Sequence, residues 1–384
     1  GGILDIIYDY DYIKANLTKE KLKSRPNTMW RYRELLPVEE TTPDTPLRVG
    51  WSPLYEEDRL AKLLGLKKLW VKDDGQNPTA SLKDRASAMA VAKAKEAGAE
   101  IIACSSTGNA ASSLAGNAAA AGLKTFIFVP SRAPKGKVAQ LMTFGANVIS
   151  VQGNYEETFE LSKKAIDKWG WYNRNAAINP YLSEGKKTVT LEILEQLGWQ
   201  TPDYIALSVG DGCTIAGAWK GLKDLYAAGF IDRLPRLISV QAEGCCPLNR
   251  AIQTGRPWTP MEENTLADSI AVGVPRNPDK ALRAIRESDG VAVNVSDGEI
   301  LEAMRLLGRT QGVFGEPAGA AGTAGVKKAV ELGLIPAGST VVSIVTGNGL
   351  KDVQSGIQAA GEPMRVSPDM DALLAAFAAQ DIRP

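Results

Sequence analysis

Short runs of β-branched and aliphatic residues alternate with Ala-rich, helix-forming segments along most of this chain. The runs are Lys68–Val71, Ile101–Cys104, Thr125–Val129, Val148–Val151, Tyr204–Val209, Leu237–Gln241 and Val341–Val345. Helix-like stretches lie between them at Ala86–Ala97, Ala110–Ala121, Tyr155–Lys168, Lys187–Leu197 and Gly217–Ala227. Continuous apolar runs read as strands buried on both faces. Separated by helices, they predict parallel sheets covered on both sides, an α/β fold. Seven such strands over this length predict two α/β layers rather than one. Up to about Arg48, aromatics and charges mix without this rhythm, which predicts an N-terminal arm or partial subdomain. In open α/β folds, ligands sit at the carboxyl ends of strands, where Gly-rich turns open helices. Several runs here end in such turns.

Composition narrows the chemistry. The chain has 384 residues, enough for two domains and a large core. Its 44 basic and 44 acidic residues cancel, and no basic stripe stands out, so nucleic acid and anionic membrane are not expected partners. No apolar run reaches the roughly 18–20 residues of a membrane span, and no leader pattern opens the chain at Gly1. Cys104, Cys213, Cys245 and Cys246 show neither a disulfide framework nor a C-x-x-C metal spacing. A reducing, cytoplasmic setting is expected. The chain contains no histidine. Ser-His-Asp and Cys-His mechanisms and His-ligated metals are therefore excluded within these residues, and acid–base work falls to Lys, carboxylates, Tyr or a cofactor.

Four strand-to-helix turns carry candidate chemistry. The first is Asn77-Pro78-Thr79-Ala80-Ser81-Leu82-Lys83-Asp84-Arg85. A lysine at the positive end of a helix is disfavoured as ammonium and becomes a better nucleophile. The same spacing fits a solvated lysine in a first helical turn. The second, Cys104-Ser105-Ser106-Thr107-Gly108-Asn109-Ala110, offers backbone N–H groups to an anion, or simply a helix cap. The third is Val209-Gly210-Asp211-Gly212-Cys213-Thr214-Ile215, whose glycines let backbone approach a phosphate. On that reading a side chain at Gly212 weakens phosphate retention and leaves the fold intact. Such G-x-G loops also occur in dinucleotide folds. The fourth, Thr346-Gly347-Asn348-Gly349, ends the last strand, and Glu316-Pro317-Ala318 opens a small-residue helix.

In this order the motifs resemble those of threonine synthases and their relatives in the fold-type II superfamily of pyridoxal-phosphate (PLP) enzymes. The resemblance runs from about Gly50-Trp51-Ser52-Pro53-Leu54 to Asp352. Gly1-Gly2-Ile3-Leu4-Asp5 resembles the residues that follow a Cys-rich ribbon in some relatives. The resemblance implies a large cofactor-anchoring domain, 1–85 and 180–384, and a small mobile one, 86–179, in a homodimer. It implies that Lys83 binds the cofactor covalently and that Asn109 contacts its 3′ oxygen. Gly210, Asp211, Gly212, Cys213 and Thr214 then surround its phosphate, and Thr346 bonds the pyridine nitrogen. The backbone of Ser106, Thr107, Gly108, Asn109 and Ala110 would grip the carboxylate of an amino-acid substrate. Two departures stand out near the cofactor lysine: the family commonly has Gly and Phe at the places of Ala80 and Leu82.

A larger departure concerns the substrate. Where threonine synthases use Asn, Ser and Arg for the phosphate of O-phosphohomoserine, this chain has Ala176, Ala177 and Leu182. Leucine cannot make the bidentate contact of arginine. Lys186, or an arginine from another segment such as Arg276, would have to supply the cation. The implied activity is threonine synthase. The alternatives are a related β-replacement or β-elimination enzyme (cysteate synthase-like or serine/threonine dehydratase-like), and, in another class, a nucleotide-binding or regulatory α/β protein.

Overall fold

The computed structural model describes residues 3–133 and 135–382. Gly1 and Gly2 of the N-terminal resemblance lie outside them. Ten strands form two sheets: β1 (Leu54–Glu56), β2 (Lys68–Asp73), β3 (Ile101–Ser105), β4 (Lys124–Pro130), β5 (Asn147–Val151), β6 (Tyr172–Asn173), β7 (Tyr204–Ser208), β8 (Arg236–Ala242), β9 (Val291–Val295) and β10 (Thr340–Val345). The larger sheet has the order β1-β2-β10-β7-β8-β9 and the smaller β5-β4-β3-β6. All pairings are parallel except β1 with β2.

All seven runs are strands, with ends shifted by one or two residues. Successive side chains of a strand point to opposite faces, and in β7 both faces are covered. Ile205 and Leu207 join one core, with Val189, Ile193 and Leu222, while Tyr204 and Ala206 join another, with Ala320, Ala324 and Ile300. The smaller sheet has its own core around Ile102, Leu114 and Ile127. The N-terminal stretch is no appended arm. Ile13, Leu17, Leu22, Tyr32 and Leu35 complete the first core, and Met29 and Trp30 pack against Ala88, Met89 and Ala92.

Helices begin earlier than the apolar pattern alone predicts. The helix after β2 spans Lys83–Glu96, that after β3 Asn109–Ala120, and that after β7 Cys213–Ala227. The helix expected from Lys187 starts at Tyr181 and runs to Gln196. Each gained first turn is polar or small because it borders a cleft rather than a core. Adjacent strands β2, β10 and β7 run parallel, so the loops after Asp73, Val345 and Ser208 leave the same sheet edge side by side. They are stitched together: Leu82 N–H donates to Thr346 O at 2.8 Å, and Asn348 N–H to Ala80 O at 3.1 Å.

A buried charge cluster anchors this edge. Arg85 reaches Asp74 through Nε (2.7 Å) and one terminal nitrogen (2.8 Å), and Glu192 through both terminal nitrogens (2.5 and 2.8 Å). Lys72 donates to Glu192 at 2.9 Å and to Gln196 at 2.8 Å. The side chains of Lys72, Asp74, Arg85 and Glu192 are wholly buried. Removing one partner of such a cluster leaves an uncompensated buried charge, a loss of about 3–5 kcal/mol. Arg85→Met is therefore expected to lower the urea-unfolding free energy by at least ~3 kcal/mol. A change below ~1 kcal/mol would show that the cluster is not what fixes this edge.

Candidate active site

Residues from all four turns meet in one cleft between the two sheets. Lys83 occupies the first position of its helix and lines the cleft with Asn109, Lys186 and Thr346. Gly210, Asp211, Gly212, Cys213 and Thr214 form one wall, and Ala110 closes another. Ser106 lines an adjoining cavity, whereas Thr107 and Gly108 line neither.

The residues flanking Lys83 hold it in place. Asp84 accepts from Thr79 N–H and Thr79 Oγ1 (both 2.8 Å) and from Asn117 Nδ2 (2.8 Å), which ties the turn to the Asn109–Ala120 helix. Arg85 ties it to the larger sheet's edge. Ala80 sits at φ +66°, a left-handed conformation that costs a non-glycine residue about 1–2 kcal/mol, which explains why relatives favour glycine there. Burial, followed by the neighbouring Lys186 charge, pulls the Lys83 ammonium down from 10.5 to about 8. Much of this lysine is thus a neutral amine under ordinary conditions.

Two helices open on the cleft with no side-chain cap, at Gly108–Asn109 and at Gly212–Cys213. Their first backbone N–H groups remain available to an anion. Asp211 lines the cleft, but its carboxylate accepts from Arg276 N–H at 3.2 Å. What it presents to an anion is backbone. Cys213 is buried and burial pushes its thiol up, so it is a loop residue rather than a nucleophile. Gly212 takes φ +83°, and a Cβ there would stand 2.7 Å from both Asn277 O and Ala281 Cβ. This glycine is required by the packing of its own turn. The expectation that a side chain at Gly212 leaves the fold intact is therefore corrected.

Charge is unevenly matched here. Lys187 is neutralised by Glu184 and Asp224, each at 2.6 Å. Its neighbour Lys186, 4% exposed, has no carboxylate at ion-pair distance among the described residues. Arg174, 3% exposed, is held by Ser87 Oγ alone (3.1 and 3.2 Å). Arg174 carries no recognisable motif. Its signal is burial without a counter-charge, which only the fold reveals. Glu316 was legible only as a helix start. It accepts from Asn109 Nδ2 at 2.6 Å, and burial raises its carboxyl to about 7. Asn109 is thus engaged by a carboxyl group poised to gain or lose a proton.

Leu182, at a place where relatives carry arginine, lies 2% exposed in the smaller sheet's apolar core. Ala176 lines both cavities, and Ala177 bends at φ +61°. Of the substitute cations, Lys186 reaches the main cleft and Arg276 the adjoining cavity.

The donor set suits pyridoxal phosphate. An uncapped helix N-terminus beside an unpaired lysine fits a phosphate, a lysine of lowered pKa fits an aldehyde, and the Thr346 hydroxyl at the end of β10 fits a ring nitrogen.

The chain is 42% identical to a threonine synthase from Methanocaldococcus jannaschii, over 97% of this chain and 93% of that one. It is 44% identical to a threonine synthase from Methanosarcina acetivorans, over 97% and 91%. A bacterial-type comparison comes from a solved threonine deaminase, which matches with a TM-score of 0.66 at 25% identity, covering 77% of this chain and 92% of that one. A maize serine racemase structure matches in fold with a TM-score of 0.68 at 22% identity, covering 80% and 92%. The pattern of one enzyme family spans residues 46–347, from the turn before β1 to the loop after β10. The chain belongs to that family, the pyridoxal-phosphate dependent enzymes.

Proposed function

We propose that the chain catalyses the threonine synthase reaction, in which O-phosphohomoserine and water give threonine and phosphate. The near full-length match to threonine synthases carries the reading, laid over a cleft with one neutralisable lysine and two uncapped helix N-termini. When bound, pyridoxal phosphate stabilises negative charge on the carbon beside the substrate's amino group.

Lys83 would hold the cofactor. Once freed by the substrate amine, it is the base that removes the α-proton, a task suited to an amine titrating near 8. The Gly210–Thr214 backbone and Lys186 would hold the cofactor's phosphate. Asn109 and Thr346 would orient its ring. Thr346 supplies a hydroxyl rather than a carboxylate, which leaves the ring nitrogen largely unprotonated. The N–H groups of the Ser106–Ala110 turn would bind the substrate carboxylate. The unit built on the smaller sheet, 86–179, would close over the substrate and exclude water. A homodimer in a reducing, cytoplasmic setting completes the reading; all four cysteines are free and buried, which supports that setting.

One observation favours a second reading. Ala176, Ala177 and the core residue Leu182 remove the relatives' phosphate contacts, and β-replacement or β-elimination on a different amino acid needs none of them. Product analysis separates the two. Holoenzyme with O-phosphohomoserine is expected to release threonine and phosphate in equal amounts, and to form no sulfite-dependent product from O-phosphoserine. Absence of threonine, with a sulfite-dependent product from O-phosphoserine, would assign the β-replacement reaction instead.

Cofactor uptake should also report the Lys83 environment. The attacking species is the neutral amine. With the pKa lowered to about 8, this form dominates above pH 8, not above 10.5. Covalent uptake of pyridoxal phosphate by apoprotein should therefore rise with pH through about 8 and then level. Lys186 and Arg174 favour the neutral amine; Glu316 and Asp211 oppose them. A rate still climbing about tenfold per pH unit toward pH 10, as an unshifted lysine would show, would contradict the assignment.

A further inference from the structure

Beside the Lys83 cleft lies a second cavity that the relatives' motifs do not describe. The two share Ala110, Arg174, Ala176 and Asp211 in their walls, so they adjoin where a substrate side chain would leave the reacting carbon. The second cavity is further lined by Ser105, Asn175 and Arg276, with Tyr155 and Phe159 beneath them.

Its polar groups are arranged for a ligand. Arg174 is a buried guanidinium whose Nε and one terminal nitrogen meet a single neutral hydroxyl, that of Ser87. A guanidinium has five donors, and burying its charge without a counter-charge is costly. Ser105 Oγ and Asn175 Nδ2 are buried and find no hydrogen-bond partner. Native proteins leave few such atoms orphaned, and an unmade bond at a cavity wall marks a place for a ligand. Arg276 comes from the other side. It stacks over Phe159 at 4.7 Å, and its only ion pair among the described residues is with exposed Glu156 at 3.3 Å. No carboxylate among the described residues lines this cavity except Asp211, which is already engaged by the Arg276 backbone.

We infer that this cavity is a relocated oxyanion subsite, in which Arg174 and Arg276, with Ser105 and Asn175, grip the phosphate on the substrate's side chain. The inference rests on the proposed reaction for the identity of the phosphate. It explains how Ala176, Ala177 and Leu182 are tolerated: the cation has moved to other positions. Ala110 and Ala176 line the passage with methyl groups only. Arg276 follows the Gly210–Thr214 wall through Asp211, while Phe159 belongs to the Tyr155–Trp169 helix beside the smaller sheet. An anion held here joins the two units across the cleft.

Inorganic phosphate is the probe, titrated calorimetrically into holoenzyme, whose cofactor-phosphate loop is filled. Arg276→Met, at a partly exposed position, and Arg174→Lys are each compared with wild type. Pyridoxal-phosphate content is measured in every sample. Each variant is expected to weaken phosphate at least about tenfold, the effect of losing a charge-assisted hydrogen bond. The KM for O-phosphohomoserine should rise by a similar factor, with cofactor content unchanged. Wild-type phosphate affinity in Arg276→Met would overturn the subsite. So would cofactor loss in Arg174→Lys, because it would assign that arginine to the cofactor. If phosphate binding depends on both arginines but O-phosphohomoserine is not turned over, the subsite stands and the proposed reaction falls.

Discussion

The double grip of Arg85 on Asp74 and Glu192 is the constraint on which the site depends. These charges and Lys72 are buried together, two positive and two negative. Taking them out of water is expensive, so the cluster's main effect is to permit one geometry rather than to add net stability. Asp74 follows β2, Glu192 lies on the Tyr181–Gln196 helix, and Arg85 is two residues beyond Lys83. Only one placement of the Lys83 turn satisfies all three. Close packing reinforces it: a Cβ on Gly185 would approach the Arg85 carbonyl carbon to 2.8 Å, so these two helices meet backbone to backbone. Asp84 then secures the same turn to the smaller sheet's helix. One lysine is aimed into the cleft by residues that never touch a ligand.

The same chain neutralises some buried cations and leaves others open. Lys187 lies between Glu184 and Asp224, whose remaining oxygens accept from Tyr8 and Tyr10 of the N-terminal stretch at 2.6 and 2.7 Å. Lys186, Lys83 and Arg174 face the cleft with only Glu316 and Asp211 for counter-charge. Near pH 7 part of Glu316 is protonated. The cleft therefore carries an excess of positive charge in a low-dielectric setting, where attraction to phosphate is strong. This favours a ligand bearing phosphate at one end and a substrate bearing anions at its own ends.

Much of this was legible in the chain, because the chemistry sits on contiguous turns. The Asn77–Arg85, Cys104–Ala110, Val209–Ile215 and Thr346–Gly349 segments converge as parallel strands require. What escaped depends on distant residues. Arg174 has no local pattern, and its meaning lies in what does not surround it. Glu192 reads as one more helical carboxylate until Arg85 meets it. Gly212 suggests ligand approach, yet the obstacle to a side chain there is Asn277. The strand Val291–Val295 has a plain β-branched pattern but lies outside the seven runs, while Tyr172–Asn173 is too short to show a period. Leu182 marks a real loss of the relatives' phosphate contact. Its place in the core shows that its side chain now serves packing, so the charge must come from elsewhere.

The central claim is that Lys83, positioned by Asp84 and Arg85, carries the cofactor. It is tested most directly by reducing the holoprotein with borohydride, digesting it and locating the pyridoxyl group by mass spectrometry. The account predicts a single modified peptide carrying the group on Lys83. A pyridoxyl group on Lys186, the other unpaired lysine of the cleft, or on no lysine at all, would contradict it.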